Sequence, residues 1–453
     1  MLKPALFLAA ALLPSLALAQ EAPGGGAPIA PTFDVQAART RIDAGLDRNY
    51  PQLQALYEDI HQHPELGFQE QRTAALLAAR MRKLGFTVTE HVGKTGIVAI
   101  YKNGPGKTIL IRTELDALPM EEKTGLPYAS RAQQTLDGKL TYVDHSCGHD
   151  IHMAWWVGTA EALLAMKDQW HGTLMFIGQP SEETVGGAKA MLADGLFTRW
   201  PKPDVGFAAH VGPDAAGTVT VKEGTLSSAS DEIDITFHGR GAHGSMPQES
   251  IDPIVMGAHF VSDVQTVISR ETAPGTFGVV TVGAFQGGTV DNIIPDHADL
   301  QLTLRSHDDV TRKRLIDGVT RTANAVAAMA GAPAPTIEHP GGASAVHNDI
   351  ALADRAAGVM QAAFGKDATF VPAYMPAGSA SEDFSEFIAA GVPSVFFGVG
   401  GSDPAMLARY KAEGKPVPVN HSPYFAPAPE PSIKRGVETL TLAVLMVAGT
   451  AGT

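Results

Sequence analysis

Apolar, strand-like runs alternate with helix-length amphipathic segments along most of this chain, and the alternation breaks once, between about residues 229 and 340. A rhythm of this kind demands a largely parallel sheet with helices on both faces, because each parallel pair needs a crossover long enough to hold a helix. Helical spacing is read over 50–63 and 70–85, the second with Ala74, Leu77, Met81 and Leu84 on one face. Strands follow at 95–101 and 107–118, then a helix over 152–170, a strand at 172–179, a helix over 187–196 and a strand at 204–210. Beyond the break the rhythm resumes with helix 349–364, strand 369–374, helix 381–390, strand 393–399 and a last helix from Ser432.

Inside the break the order is strand 231–239, helix 252–271, strands 278–283 and 297–306, helix 310–331 and strand 335–339. That β-α-β-β-α-β order is ferredoxin-like. The expected fold is therefore α/β: a mostly parallel sheet flanked by helices, in two parts over 35–228 and 341–453, carrying an inserted module over 229–340. Met1-Leu2-Lys3, an apolar stretch to Leu18 and the small-x-small site Ala17-Leu18-Ala19 read as a secretory signal over 1–19. The Gly/Pro-rich segment over 20–34 reads as a flexible leader. An exported, periplasmic or secreted protein with no membrane span after cleavage is expected.

The chain has 453 residues, with 34 basic against 48 acidic side chains and a net charge of −14. That balance argues against nucleic acid or an anionic membrane as partner. Cys147 is the one cysteine, in the run Asp144-His145-Ser146-Cys147-Gly148-His149-Asp150. An exported lone thiol cannot pair internally, and beside an imidazole it reads as a metal ligand. Further donors stand at the ends of strands: Gln179-Pro180-Ser181-Glu182-Glu183, His210, and Asn420-His421-Ser422-Pro423 near the C-terminus. Taken singly, a Glu-Glu pair is a solvated edge and a strand-end histidine a core residue; their joint occurrence carries the weight. Cys147, His149, Glu183, His210 and His421 exceed what one structural zinc needs and suit two divalent ions such as zinc, manganese, cobalt or nickel. Adjacent Glu182 and Glu183 point different ways, so one can bind metal while the other faces a water whose pKa the metal lowers to ~7.

These motifs resemble the M20 metallopeptidase family, in its amidohydrolase branch of hippurate, auxin-conjugate and N-acyl-amino-acid hydrolases. The resemblance runs from His61-Gln62-His63-Pro64-Glu65-Leu66-Gly67-Phe68 to His421-Ser422-Pro423. It includes Arg112-Thr113-Glu114-Leu115-Asp116-Ala117-Leu118-Pro119, Gly241-Ala242-His243-Gly244-Ser245-Met246-Pro247, Asp291-Asn292-Ile293-Ile294-Pro295 and Ser381-Glu382-Asp383-Phe384. It implies a zinc-peptidase-like catalytic domain and an insertion that acts as lid and homodimer interface. It implies Cys147, His149, Glu183, His210 and His421 as metal ligands and Glu182 as general acid/base. His243 from the partner subunit would stabilise the oxyanion, and Asn292 and Arg305 would grip a substrate carboxylate. Glu114 stands where aspartate is usual, and Ser181 where alanine is usual. Asp116, Asp150 and Asp383 read as carboxylates that orient histidines; His61 and His152 read as structural.

The function expected is metal-dependent hydrolysis of the amide of N-acyl amino acids or dipeptide-like substrates. A dipeptidase or carboxypeptidase of the same family is an alternative, as is a non-catalytic metal- or peptide-binding protein on the same fold, against which an intact Glu182 speaks. Nucleophilic catalysis is weaker still, since Gly-x-Ser-x-Gly is absent.

Overall fold

Residues 26–449 are described by a computed structural model; the signal segment read at 1–19 lies outside them. An eight-stranded sheet is built around four adjacent parallel strands, in the order Gly172–Gln179, Thr108–Glu114, Val205–Ala215 and Ser394–Ser402. Gly96–Asn103 and then Thr87–Val92 extend one edge antiparallel. Val219–Lys222 and Ala368–Val371 extend the other.

Both faces of this sheet are covered. Ile109, Ile111, Phe176, Phe207 and Phe397 pack under the long helices Val35–Gln62, His149–Ala165, Ile350–Phe364 and Pro429–Ala448. Leu110, Met175, Ile177, Ala208 and Phe396 face the short helices Gly187–Ala193, Leu196–Arg199 and Ser385–Ala389. Double-sided burial is why these strands are nearly unbroken apolar runs in sequence. Residues 26–34, the described part of the segment read as a flexible leader, lie along one of the long helices. The Ile29 N–H donates to Asp354 O at 2.9 Å, and a Cβ at Gly358 would fall 1.8 Å from Ile29 O.

A second, antiparallel sheet is ordered Gly278–Gly287, His297–Ser306, Ala229–His238 and Thr336–Glu338. Its Ile233, Ile235, Phe237, Leu300, Leu302 and Leu304 face Pro253–Asp263, Gln265–Ser269 and Asp309–Met329. The residues between them, among them Glu232, Asp234, Gln301 and Thr303, fall on the uncovered face, the alternation of a half-buried sheet. The long helix read over 252–271 breaks near Val264, giving two pieces.

Two contacts tie the long helices together. His61 lies on the first of them, its Nδ1–H donating to Asp150 at 2.6 Å and its Nε2 3.2 Å from Glu122. Burial alone would lower its pKa, but the two flanking carboxylates carry it to about 10. Gly436 lets the last helix press against Trp155, where an added Cβ would lie 2.2 Å from the indole.

Gly436→Ala is expected to cost about 1–3 kcal/mol through overpacking, read as a lower urea midpoint; an unchanged midpoint would show that Trp155 can yield. The folded pKa of His61 is raised above its ordinary 6.5, so its contribution is full below that pH and fades as pH rises toward about 10. The stability gap between wild type and His61→Gln should therefore narrow from pH 6 to about 10. A gap that stays constant would contradict an ion-pair role.

Candidate metal centre

The C-terminal ends of the parallel strands converge, as ligand sites do in such sheets. Thr108–Glu114 and Gly172–Gln179 pair in register, Glu114 opposite Gln179, so Asp116 and the Pro180–Glu183 turn emerge side by side. The strand bearing His210 runs on to Ala215, past the end read at 210, because Ser394–Ser402 continues to pair with it; His210 sits opposite Gly398. Cys147 and His149 flank Gly148, which caps the His149–Ala165 helix at φ +92°. Only glycine suits that place: the backbone is left-handed, and a Cβ would lie 2.4 Å from Val211.

Cys147 Sγ lies 3.3 Å from His210 Nε2, and donor atoms of Cys147, His149 and Glu183 all fall within 4.8 Å of one another. His149 Nε2 is 3.9 Å from a carboxylate oxygen of Glu182 and of Glu183. His421 Nε2 is 3.3 Å from Glu183 Oε2. His421 itself is left-handed at φ +65° and half exposed at the mouth, with its N–H on Ser146 O at 3.0 Å. Asn420 secures that loop by donating to Cys147 O at 2.8 Å and Val211 O at 3.0 Å.

The donor set fits a cation. His149 Nε2 and Glu183 Oε1 are buried without a hydrogen-bond partner, a costly state unless another group takes them up. Burial, then the Glu183 and Glu182 charges, push the Cys147 thiol well above its ordinary value. Burial with neighbouring Asp116 pushes Glu183 up to about 7. Burial opposes charge on His149, yet Asp116, Glu114 and Glu183 carry it to about 10. Beside burial, the neighbouring carboxylates act on all three in the same sense, holding protons at this spot, and a divalent ion would reverse the thiol's shift.

His152 shares the neighbourhood but is fully engaged. Its Nδ1–H donates to Glu114 at 2.9 Å, and its Nε2 accepts the Val211 N–H at 2.9 Å. Glu114, one methylene longer than aspartate, also meets Arg112. Behind the centre, buried Arg112 reaches Gln179 Oε1 at 2.9 Å, Glu382 at 2.7 Å and Asp383 at 3.2 Å. Glu182 completes this group, within 4.8 Å of Glu382 and Asp383. Burial, then Glu382 and Glu183, push its carboxyl well up.

Of the three aspartates read as orienting histidines, Asp116 touches His149, mainly by its backbone: His149 Nδ1–H donates to Asp116 O at 2.8 Å. Its side chain accepts the Glu183 N–H at 2.9 Å. Asp150 orients His61 rather than a candidate ligand, because neighbouring helical residues project in different directions and His149 already faces the centre. Asp383 contacts no histidine; it lies behind Arg112, accepting from Arg112, Gln179 and the Ala188 N–H. Arg112 has no role read from sequence; its one signal is a charge in an otherwise apolar strand.

Arg305 lies on the inserted sheet, whereas His243 stands on a separate two-stranded ladder, Ala242–His243 with Ile293–Ile294, and Asn292 just before its second strand. His243 pairs with Ile293, and the Gly244 N–H donates to Asn292 O at 2.8 Å. His243 and Asn292 are exposed, and the hydrogen bonds described for them stay within this ladder and its turn. Arg305 sits opposite Ser230 and Val279, its Nη1 buried without a partner.

Residues 110–445 match the sequence model of Peptidase family M20/M25/M40. Hippurate hydrolase of Campylobacter jejuni is 38% identical over 268 residues, 58% of this chain and 66% of that protein. N-acetyldiaminopimelate deacetylase of Streptococcus thermophilus is 33% identical over 358 residues, 78% of this chain and 91% of that protein. The crystal structure of a Bacillus subtilis dinuclear metal-binding peptidase from the M20 family superposes with a TM-score of 0.70 at 27% identity, covering 89% of this chain and 99% of that one. With the fold, the clustered donors and most of its length in agreement, the chain belongs to Peptidase family M20/M25/M40.

Proposed function

We propose that this protein is an exported metal-dependent amidohydrolase that cleaves the amide of N-acyl amino acids or dipeptide-like substrates and acts as a homodimer. The observation that carries the reading is the meeting of Cys147, His149, His210, His421 and Glu183, with two buried donor atoms unpartnered and Glu182 beside them. The activities for which the hippurate hydrolase and the deacetylase are named support the substrate class. The opening Met1-Leu2-Lys3 and its apolar stretch support export.

Cys147, His149, Glu183, His210 and His421 would hold two divalent ions of the zinc, manganese, cobalt or nickel type. When bound, such ions supply Lewis acidity toward the carbonyl and acidify water near neutral pH. Glu182 accepts a proton from the attacking water and returns it to the leaving nitrogen. Burial, then Glu382, Glu183 and Asp383, raise its proton affinity above that of an ordinary carboxylate. Arg305, with a free buried N–H, suits a substrate carboxylate. Exposed His243 and Asn292 lie on the surface that would reach a second copy's centre, where His243 steadies the oxyanion.

Glu182→Gln should keep metal and lose about 100-fold or more in turnover, whereas Glu183→Ala should lose metal as well, both read by metal analysis beside kinetics. A fully active Glu182→Gln enzyme would remove the assigned base. Across a panel of N-acyl amino acids and dipeptides, a chelator should abolish hydrolysis and one of the four ions restore it. Chelator-resistant activity that a thiol alkylator stops would favour Cys147 as nucleophile instead.

A further inference from the structure

The turn that carries Glu182 and Glu183 is held from outside by buried carboxylates gripping its backbone. Glu70 Oε1 accepts the Ser181 N–H at 2.7 Å, Asp116 Oδ2 accepts the Glu183 N–H at 2.9 Å, and Asp383 Oδ2 accepts the Ala188 N–H at 3.0 Å. The first grip falls on a strained residue. Ser181 is fully buried with φ +49°, a conformation that side-chain-bearing residues avoid. Its position is crowded too, since a Cβ on Gly67 would lie 2.4 Å from Ser181 Oγ. Glu70 is itself fully buried, and its second oxygen accepts the Thr95 hydroxyl, so it cannot swing away.

The left-handed step at Ser181 sets the direction in which the chain enters the two glutamates. Glu182 is sent toward Glu382 and Asp383, and Glu183 toward Cys147 and His149. We infer that Glu70 is a positioning residue for Glu182: by accepting the Ser181 N–H it holds the turn in the one backbone conformation that aims the proton-transferring carboxylate. This rests on the function proposed for Glu182. Without Glu70 the Ser181 N–H is a buried donor with no partner, and rotating the Pro180–Ser181 peptide relieves it while carrying Glu182 off its mark. Asp116 still grips the Glu183 N–H, so the metal donors stay in place.

The test uses the full-length chain loaded with cobalt(II). The cobalt–thiolate absorbance at Cys147 reports metal affinity, and steady-state kinetics run on the best substrate of the N-acyl amino acid panel. Glu70→Ala should keep wild-type cobalt affinity and KM while kcat falls about 100-fold, the scale of a catalytic group displaced by about an ångström. Glu70→Gln keeps an oxygen for the Ser181 N–H and should restore most of kcat. Undiminished kcat in Glu70→Ala overturns the inference, and so does loss of cobalt affinity in that variant. A Glu70→Gln enzyme as slow as Glu70→Ala overturns it also, since charge rather than the hydrogen bond would then matter. Should Glu70→Ala fail to fold, Thr95→Val decides: by loosening Glu70 it should lower kcat with cobalt affinity intact, and an unchanged kcat defeats the role. Glu182→Gln separates the two levels. If it is active, the proposed function falls; if it is inactive beside an active Glu70→Ala, only the positioning role falls.

Discussion

The parallel register between Thr108–Glu114 and Gly172–Gln179 is the constraint on which the centre depends. It brings Asp116 alongside the Pro180–Glu183 turn, close enough for the Asp116 side chain to bind the Glu183 N–H while its carbonyl binds His149. A one-residue slip would send every side chain of the strand to the opposite face. It would then bury the wrong residues against two well-packed layers and separate these partners. The large apolar core thus does more than stabilise the fold; it fixes the spacing of the polar groups at the strand ends.

Charge is the second organising force. Arg112 is buried among Glu114, Glu382 and Asp383, with Glu182 close by, so carboxylates outnumber the cation that serves them. Buried ion pairs are poor sources of stability, because desolvation offsets most of the attraction. Their arrangement here is better understood as electrostatic preorganisation. One side of Glu182 faces acids that raise its proton affinity, and the other faces the Cys147, His149 and Glu183 donors. His149 Nε2 and Glu183 Oε1, on the donor side, are buried without a hydrogen-bond partner.

The sheet-and-insertion architecture was largely legible, because buried parallel strands are continuous apolar runs and the inserted sheet alternates with period two. Less visible were Thr87–Val92, Val219–Lys222 and the hairpin Gln133–Leu136 with Lys139–Tyr142. Thr-Val-Thr-Glu-His-Val is polar enough to pass for a loop, and its strand character comes from pairing at a sheet edge. The helix Pro404–Glu413 has no buried residue, so no apolar stripe announces it. In the centre, the candidate donors stood out because a lone Cys with nearby His and a Glu-Glu pair are chemically conspicuous. Asp150 does orient a histidine, His61, though not one of the candidate ligands, while Asp383 faces Arg112, Gln179 and the Ala188 N–H; sequence gives a carboxylate's presence but not the direction it faces.

The sequence by itself determined the layers and the inserted module, and it supplied the Cys, His and Glu side chains proposed as donors, because periodicity and residue chemistry are local properties of the chain. Only the tertiary structure decided which donors meet, that His152 is spent on Glu114 and Val211, and that Arg112 lies behind Glu182. It also decided that Ser181, just before the two glutamates, is left-handed and gives its N–H to Glu70. Those outcomes depend on contacts between residues as much as 273 positions apart, and such contacts are set by strand register and helix packing, which no local pattern encodes.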